Sequence, residues 1–150
     1  MGLYALESCR IEKGFKHWGH ELGPTVTPLE AGLEFTIDWR KNFTGKGALL
    51  QQASEGIGSK ICLLQVEGSP LMLHDEPVFE NNQVVGLTTS GTLGVRTGLT
   101  LSFANLSVAL DESLEQTSKR TLQVDVAGER YAAKVLLHPP YDPTGKRMRA

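Results

Sequence analysis

The stretch Leu122-Gln-Val-Asp-Val-Ala-Gly-Glu-Arg-Tyr-Ala-Ala-Lys-Val-Leu-Leu137 decides the fold class. Leu122, Val124 and Val126 alternate with polar residues. Gly128-Glu129 then turns the chain into Tyr131, Ala133, Val135 and Leu137, which alternate again. Period-two alternation on both sides of a short turn predicts a β-hairpin. The same pattern extends backwards. Leu99, Leu101 and Phe103 alternate with Thr100, Ser102 and Ala104, and Ile61-Cys-Leu-Leu-Gln-Val66 is an apolar run of strand length. Pro77-Val-Phe79, the turn pair Asn81-Asn82 and Val84-Val85 predict a second hairpin. Five or six short strands at regular spacing cannot leave their edges open cheaply, so a small closed or Greek-key antiparallel barrel is expected after residue 55. Asp111–Lys119 reads as a long polar loop.

Before Ser54–Ser59 the pattern is mixed. Leu3, Leu6 and Cys9 recur every third residue, and Gly14 follows a run without Pro. This predicts a helix over Leu3–Lys13 with Gly14 as its C-terminal cap. Leu33, Phe35, Ile37 and Trp39 alternate with Glu34, Thr36 and Asp38, which predicts a strand. Thr44 is placed to cap a short helix through Ala48–Gln52. The fold class is therefore α+β, mostly β. A helix/strand segment at 1–55 precedes a barrel domain at 56–150.

The chain has 150 residues, 40% hydrophobic and 21% charged, with a net charge of −2. That is globular composition with enough length for a real core. The near-neutral balance argues against nucleic-acid binding driven by phosphate neutralisation. No apolar run approaches the length of a membrane span, and Met1–Arg10 lacks the layout of a signal peptide. Cys9 and Cys62 are unclustered, and read as free, buried thiols of a reducing compartment rather than as a disulfide. The cytoplasm or a mitochondrial matrix is the expected setting.

Several chemical motifs drop out. Gly45-Lys46 and Gly58-Ser-Lys60 lack phosphate-loop spacing, and the glycines at 91, 94 and 98 open no helix. His17, His20 and Glu21 could share a face as metal ligands, but no second cluster completes a site. No Ser/His/Asp grouping has a nucleophile context. Glu12 is more informative. A carboxylate in the last turn of a helix is opposed by the helix dipole, which is mildly costly unless something else uses it. Carboxylates accept paired N–H donors well, as from the amidine-like edge of a flat heterocycle. Arg40, just past Trp39, has a planar guanidinium suited to carboxylate or carbonyl recognition. The plainer reading of both is solvated surface charge, and the residues alone leave the choice open.

The runs Leu3-Tyr-Ala-Leu-Glu-Ser-Cys-Arg-Ile-Glu-Lys-Gly14, His17-Trp-Gly-His20 and Thr27-Pro-Leu-Glu-Ala-Gly-Leu33 add to this. So do Phe43-Thr-Gly-Lys-Gly-Ala-Leu49 and Val85-Gly-Leu-Thr-Thr-Ser-Gly91. Together they resemble the aminomethyltransferase family, the T-protein of the glycine cleavage system and its relatives. Glu12-Lys-Gly-Phe-Lys-His-Trp18 and Pro140-Tyr-Asp-Pro143, ending in Lys146-Arg147, look closest to the C-terminal part of sarcosine and dimethylglycine dehydrogenases. The resemblance covers essentially the whole chain.

The resemblance implies a T-protein-like barrel at 56–150, a remnant of the folate-binding domain at 1–55, and tetrahydrofolate as ligand. Glu12 matches the family's pterin-holding glutamate and Arg40 its folate-contacting arginine. Tyr141 and Arg147 are candidates for a further contact near the C-terminus. Family members carry a larger portion before this helix, with an aspartate that assists one-carbon transfer. No residue here stands in for it, so no catalytic residue and no metal ligand is assigned. The flavin domain of the dehydrogenase relatives has no counterpart either, so FAD is expected only in a missing N-terminal part of a dehydrogenase-type parent. The chain looks like the C-terminal part of a longer protein. The alternative is a non-catalytic regulatory or assembly module, as in the regulatory subunit of pyruvate dehydrogenase phosphatase, which resembles the same family. An unpaired Leu33–Trp39 strand would favour an N-terminal partner chain or a homo-oligomer. No nucleic acid or membrane is expected as a partner.

Overall fold

In the computed structural model residues 2–149 are described. Met1 and Ala150, the outer ends of the two expected units, lie outside them. Six strands close into an antiparallel barrel in the order β1-β4-β3-β2-β5-β6. They are β1 (Ser59–Val66), β2 (Pro77–Glu80), β3 (Gln83–Leu93), β4 (Thr100–Ser107), β5 (Leu122–Val126) and β6 (Glu129–Leu136). Strands β2, β3 and β4 follow one another and β1 lies beside β4, the Greek-key arrangement. Both expected hairpins form. Asn81 and Asn82 take φ of 47° and 65°, and Ala127 takes 54° before Gly128. Positive φ at both loop positions matches the right-handed twist of the flanking strands.

The barrel sorts its residues by parity. Leu64, Val66, Val78, Leu106 and Val124 fill the interior. Ile61, Leu63, Leu101 and Phe103 point the other way and meet Ile11. That second cluster helps seat helix α1 (Leu3–Glu12) on the outside of the barrel, over β3 and β4. Gly14 ends α1 as expected: at φ 75° its N–H donates to Ile11 O, and Phe15 N–H donates to Arg10 O.

Four expectations need correction. The buried residues of α1 are Ser8, Arg10, Ile11 and Glu12, whereas Leu3 is 79% exposed and Leu6 and Cys9 are also exposed. The helix turns its polar stripe inward because the β3–β4 connection offers it N–H donors. Leu33–Trp39 is not a strand. Leu33 N–H donates to Pro28 O, Thr36 bonds back to Leu33 O through N–H and hydroxyl, and Glu34–Thr36 forms one 3-10 turn. Alternation needs a partner edge, and every barrel strand already has two partners. Thr36 supplies the competing local bond. The expected strand edge for self-association therefore does not exist. Helix α2 (Lys46–Glu55) contains the expected turn, but its N-cap is Gly45 with no side-chain cap from Thr44. The loop at Asp111–Lys119 holds helix α3 (Leu114–Thr117). Ser113 and Gln116 build its capping box, a signal present in the sequence as Ser-x-x-Gln. Among the described residues no helix is long and apolar enough to cross a membrane.

Candidate functional site

A cavity of about 460 Å³ opens between the C-terminal half of α1, the β3–β4 connection and the tail around Tyr141. Glu12, Tyr141 and Arg147 all line it, so three of the four residues singled out from the sequence converge. Arg40 does not join them. Its side chain is 91% exposed and pairs with Asp38, Nε to Oδ1 at 3.0 Å. That pairing holds the Asp38 carboxyl below its ordinary range.

Glu12 is only 1% exposed. Its Oε1 accepts from Arg96 N–H at 3.0 Å, Thr97 N–H at 2.7 Å and the Thr97 hydroxyl at 2.9 Å. Its Oε2 accepts one long bond, from Ser8 Oγ at 3.3 Å. These donors offset both the unfavourable dipole and the desolvation of the charge. The user of this carboxylate that its helix position implied is, in the first place, the barrel.

The tail is strapped across the helix end. Tyr141 N–H donates to Glu12 O, and Lys13 Nζ donates to both the carbonyl and Oδ2 of Asp142. At the mouth, Arg96 and Arg147 both approach Tyr141. Their guanidinium carbons lie 5.2 and 5.5 Å from its ring centroid, and both donate to its hydroxyl. Neither arginine forms an ion pair among the described residues. Leu6, Cys9 and Phe15 supply apolar wall. The arrangement suits a ligand with an N–H edge at one end, a flat apolar body and anionic groups at the other.

Sequence reasoning missed a second buried carboxylate. Glu21 is 0% exposed. It accepts from Arg10 at 2.7 Å, from His17 N–H at 2.9 Å and from the hydroxyls of Thr89 and Ser90. The β3 bulge between Thr88 and Ser90 aims both hydroxyls at it. Burial works to raise its pKa. The bonds from Ser90 and His17, the charge of Arg10 and the bond from Thr89 outweigh that and hold the carboxyl below the usual range. His17 and His20 stack at 5.1 Å, both exposed, and Glu21 is wholly spent on other donors. A wider groove of about 620 Å³ on the other flank of α1 contains none of the predicted residues. Cys62 is buried, with its thiol pushed up to about 11 mainly by desolvation. Cys9 is an exposed thiol at the cavity wall, against expectation.

Residues 60–142 match the family model for the glycine cleavage T-protein C-terminal barrel domain, and residues 1–41 match the GCVT N-terminal domain. The chain is 39% identical over 99% of its length to 4-methylaminobutanoate oxidase (formaldehyde-forming) of Paenarthrobacter nicotinovorans, covering 18% of that protein. It is 33% identical to mouse mitochondrial sarcosine dehydrogenase, over 99% of the chain and 16% of that enzyme. It is 33% identical to an aminomethyltransferase of Listeria welshimeri, over 94% of the chain and 38% of that protein. The chain thus spans well under half the length of these relatives. The fold superposes on a glycine cleavage system aminomethyltransferase T from Bartonella henselae with a TM-score of 0.83 at 22% identity. That match covers 95% of this chain and 40% of that one. The barrel match alone takes in more than half of the sequence, and the chain belongs to the glycine cleavage T-protein family, with aminomethyltransferases and sarcosine and dimethylglycine dehydrogenases among its relatives.

Proposed function

We propose that the chain is a tetrahydrofolate-binding segment of an aminomethyltransferase-like or sarcosine/dimethylglycine dehydrogenase-like protein, with residues 1–55 and 56–150 as its two units. The observation that carries this is the buried Glu12 carboxylate in a cavity whose mouth holds two guanidinium groups without carboxylate partners among the described residues. In this reading Glu12 anchors the pterin edge. Tyr141, Leu6 and Phe15 flank the ring system, and Arg96 and Arg147 meet the carboxylates of the tail. The chain's contribution is to position the one-carbon acceptor, and holding a reactant in place is a large share of any such rate gain. In the complete enzyme the acceptor captures an aminomethyl or iminium carbon, the donor nitrogen leaves as the free amine, and 5,10-methylene-tetrahydrofolate is formed. Arg40 enters through the family resemblance alone.

One observation favours a second reading. Glu12 Oε1 is saturated by the barrel's own donors, as a purely structural staple would be in a non-catalytic assembly module. Anaerobic calorimetry with tetrahydrofolate separates the two. The folate reading expects binding that Glu12→Ala abolishes and Arg40→Ala leaves unchanged if the cavity is the whole site. Absence of binding by the wild-type chain, with Glu12→Ala loosening the fold, supports the assembly module.

A further inference from the structure

We infer that the β3–β4 connection presets Glu12 as a one-oxygen acceptor, with Thr97 and Gly94 as its positioning residues. The inference rests on the folate reading of the cavity and deepens it. The connection closes on itself without help from α1: Gly94 N–H donates to Leu99 O and Gly98 N–H to Gly94 O, both at 2.8 Å. Leu99 N–H turns back on the Thr97 hydroxyl at 3.4 Å, and the amides of Val95, Arg96 and Thr97 are spent on the helix. Val95 N–H reaches Ser8 Oγ at 3.0 Å, and the N–H groups of Arg96 and Thr97 converge on Glu12 Oε1. The Thr97 hydroxyl adds a third donor to the same oxygen at 2.9 Å.

A carboxylate has about four lone-pair sites over its two oxygens. Three donors fill Oε1, and one long bond leaves Oε2 with unused capacity. The pterin edge offers paired N–H donors, but only one carboxylate oxygen is open to them. Recognition is therefore one-pronged, which corrects the two-pronged contact that carboxylate chemistry alone suggests.

Gly94 fixes where that oxygen sits. A Cβ there would lie 2.7 Å from Glu12 Oε1, 2.8 Å from its Cγ and 2.6 Å from Thr97 Oγ1. The backbone and the carboxylate are packed against each other, so any side chain at 94 displaces the carboxylate. Thr97 and Gly94 act on the ligand only through Glu12.

The test is tetrahydrofolate affinity of Thr97→Val, Thr97→Ser and Gly94→Ala, measured anaerobically. Thr97→Val keeps the backbone donors and removes the hydroxyl. It is expected to weaken binding about tenfold, within the range of one hydrogen bond to a charged group. Thr97→Ser restores the hydroxyl and is expected to bind within about twofold of wild type on the same scale. Gly94→Ala is expected to lose at least as much as Thr97→Val. In a Glu12→Gln background Thr97→Val is expected to cost nothing further. If Thr97→Val fails to fold, Thr97→Ala removes the same donor without a new methyl group at that position. Wild-type affinity in the hydroxyl-free variants, or equal losses in Thr97→Val and Thr97→Ser, would overturn the inference and leave the folate reading standing. No binding by the wild-type chain would overturn the folate reading and this inference with it.

Discussion

The barrel and the segment that precedes it are held by different forces. Inside the barrel each strand has two partners and the large buried groups are apolar, led by Leu64, Leu106, Leu122 and Val124, with small hydroxyl residues such as Thr88 and Ser102 buried on the same strands. Where α1 meets the barrel, the side chains that α1 and the turn after it bury are largely polar: Ser8, Arg10, Glu12 and Glu21, with Ile11 as the one fully buried apolar contact from the helix. No residue of helix α2 is fully buried. Apolar burial is non-directional and gives bulk stability. Hydrogen-bonded carboxylates are directional and fix an atom in place, at a desolvation cost. The barrel supplies rigidity, and the polar junction turns that rigidity into a placed carboxylate.

The contrast predicts a graded response to substitution. Leu64→Ala in the barrel interior should cost roughly 2–5 kcal/mol in urea unfolding, from lost burial and the cavity left behind. A cost under about 1 kcal/mol would mean the interior is not the main source of stability. Glu21→Gln at the junction should cost less, about 1–3 kcal/mol, because it weakens charged hydrogen bonds to Arg10, Ser90 and Thr89 without opening a void. Leu50→Ser in α2 should stay within about 0.5 kcal/mol, as expected for an exposed position.

Acid should find the junction as well. The folded-state pKa of Glu21 lies below its ordinary 4.5. Its stabilisation is therefore full above that ordinary value, and is lost as pH falls through the lowered one. Stability measured against pH should decline on the acid side in the wild type. Part of that decline should vanish in Glu21→Gln, and an identical acid limb in both proteins would remove Glu21 from the account.

Most of the barrel could be read from the sequence. Strand alternation is a local signal, and pairs such as Asn81-Asn82 announce their own turns. Leu33–Trp39 shows the limit of that signal: it alternates as a strand does but has no edge to pair with, and Thr36 bonds back to Leu33. The polarity of α1 was hidden for a related reason. Leu3, Leu6 and Cys9 mark an apolar stripe, but the donors that draw Ser8 and Glu12 inward are 84 to 87 residues away. Glu12 was singled out through its family motif and Tyr141 and Arg147 as candidates near the C-terminus, and the fold brings the three to one cavity. Arg96, Thr97, Gly94 and Glu21 were not, because their importance lies in contacts that only the folded barrel creates. The glycines at 94 and 98 marked a turn but not what it holds.

The central claim is that the Glu12 cavity is where the ligand binds, and Cys9 on its wall offers a direct footprint. The rate of Cys9 alkylation should be measured with and without saturating tetrahydrofolate under anaerobic conditions. Cys62 stays silent as an internal control because it is buried and its thiol is pushed up to about 11. The account predicts that tetrahydrofolate slows Cys9 alkylation in the wild type and has no effect in Glu12→Ala. An unchanged Cys9 rate in the wild type at saturating ligand would contradict it.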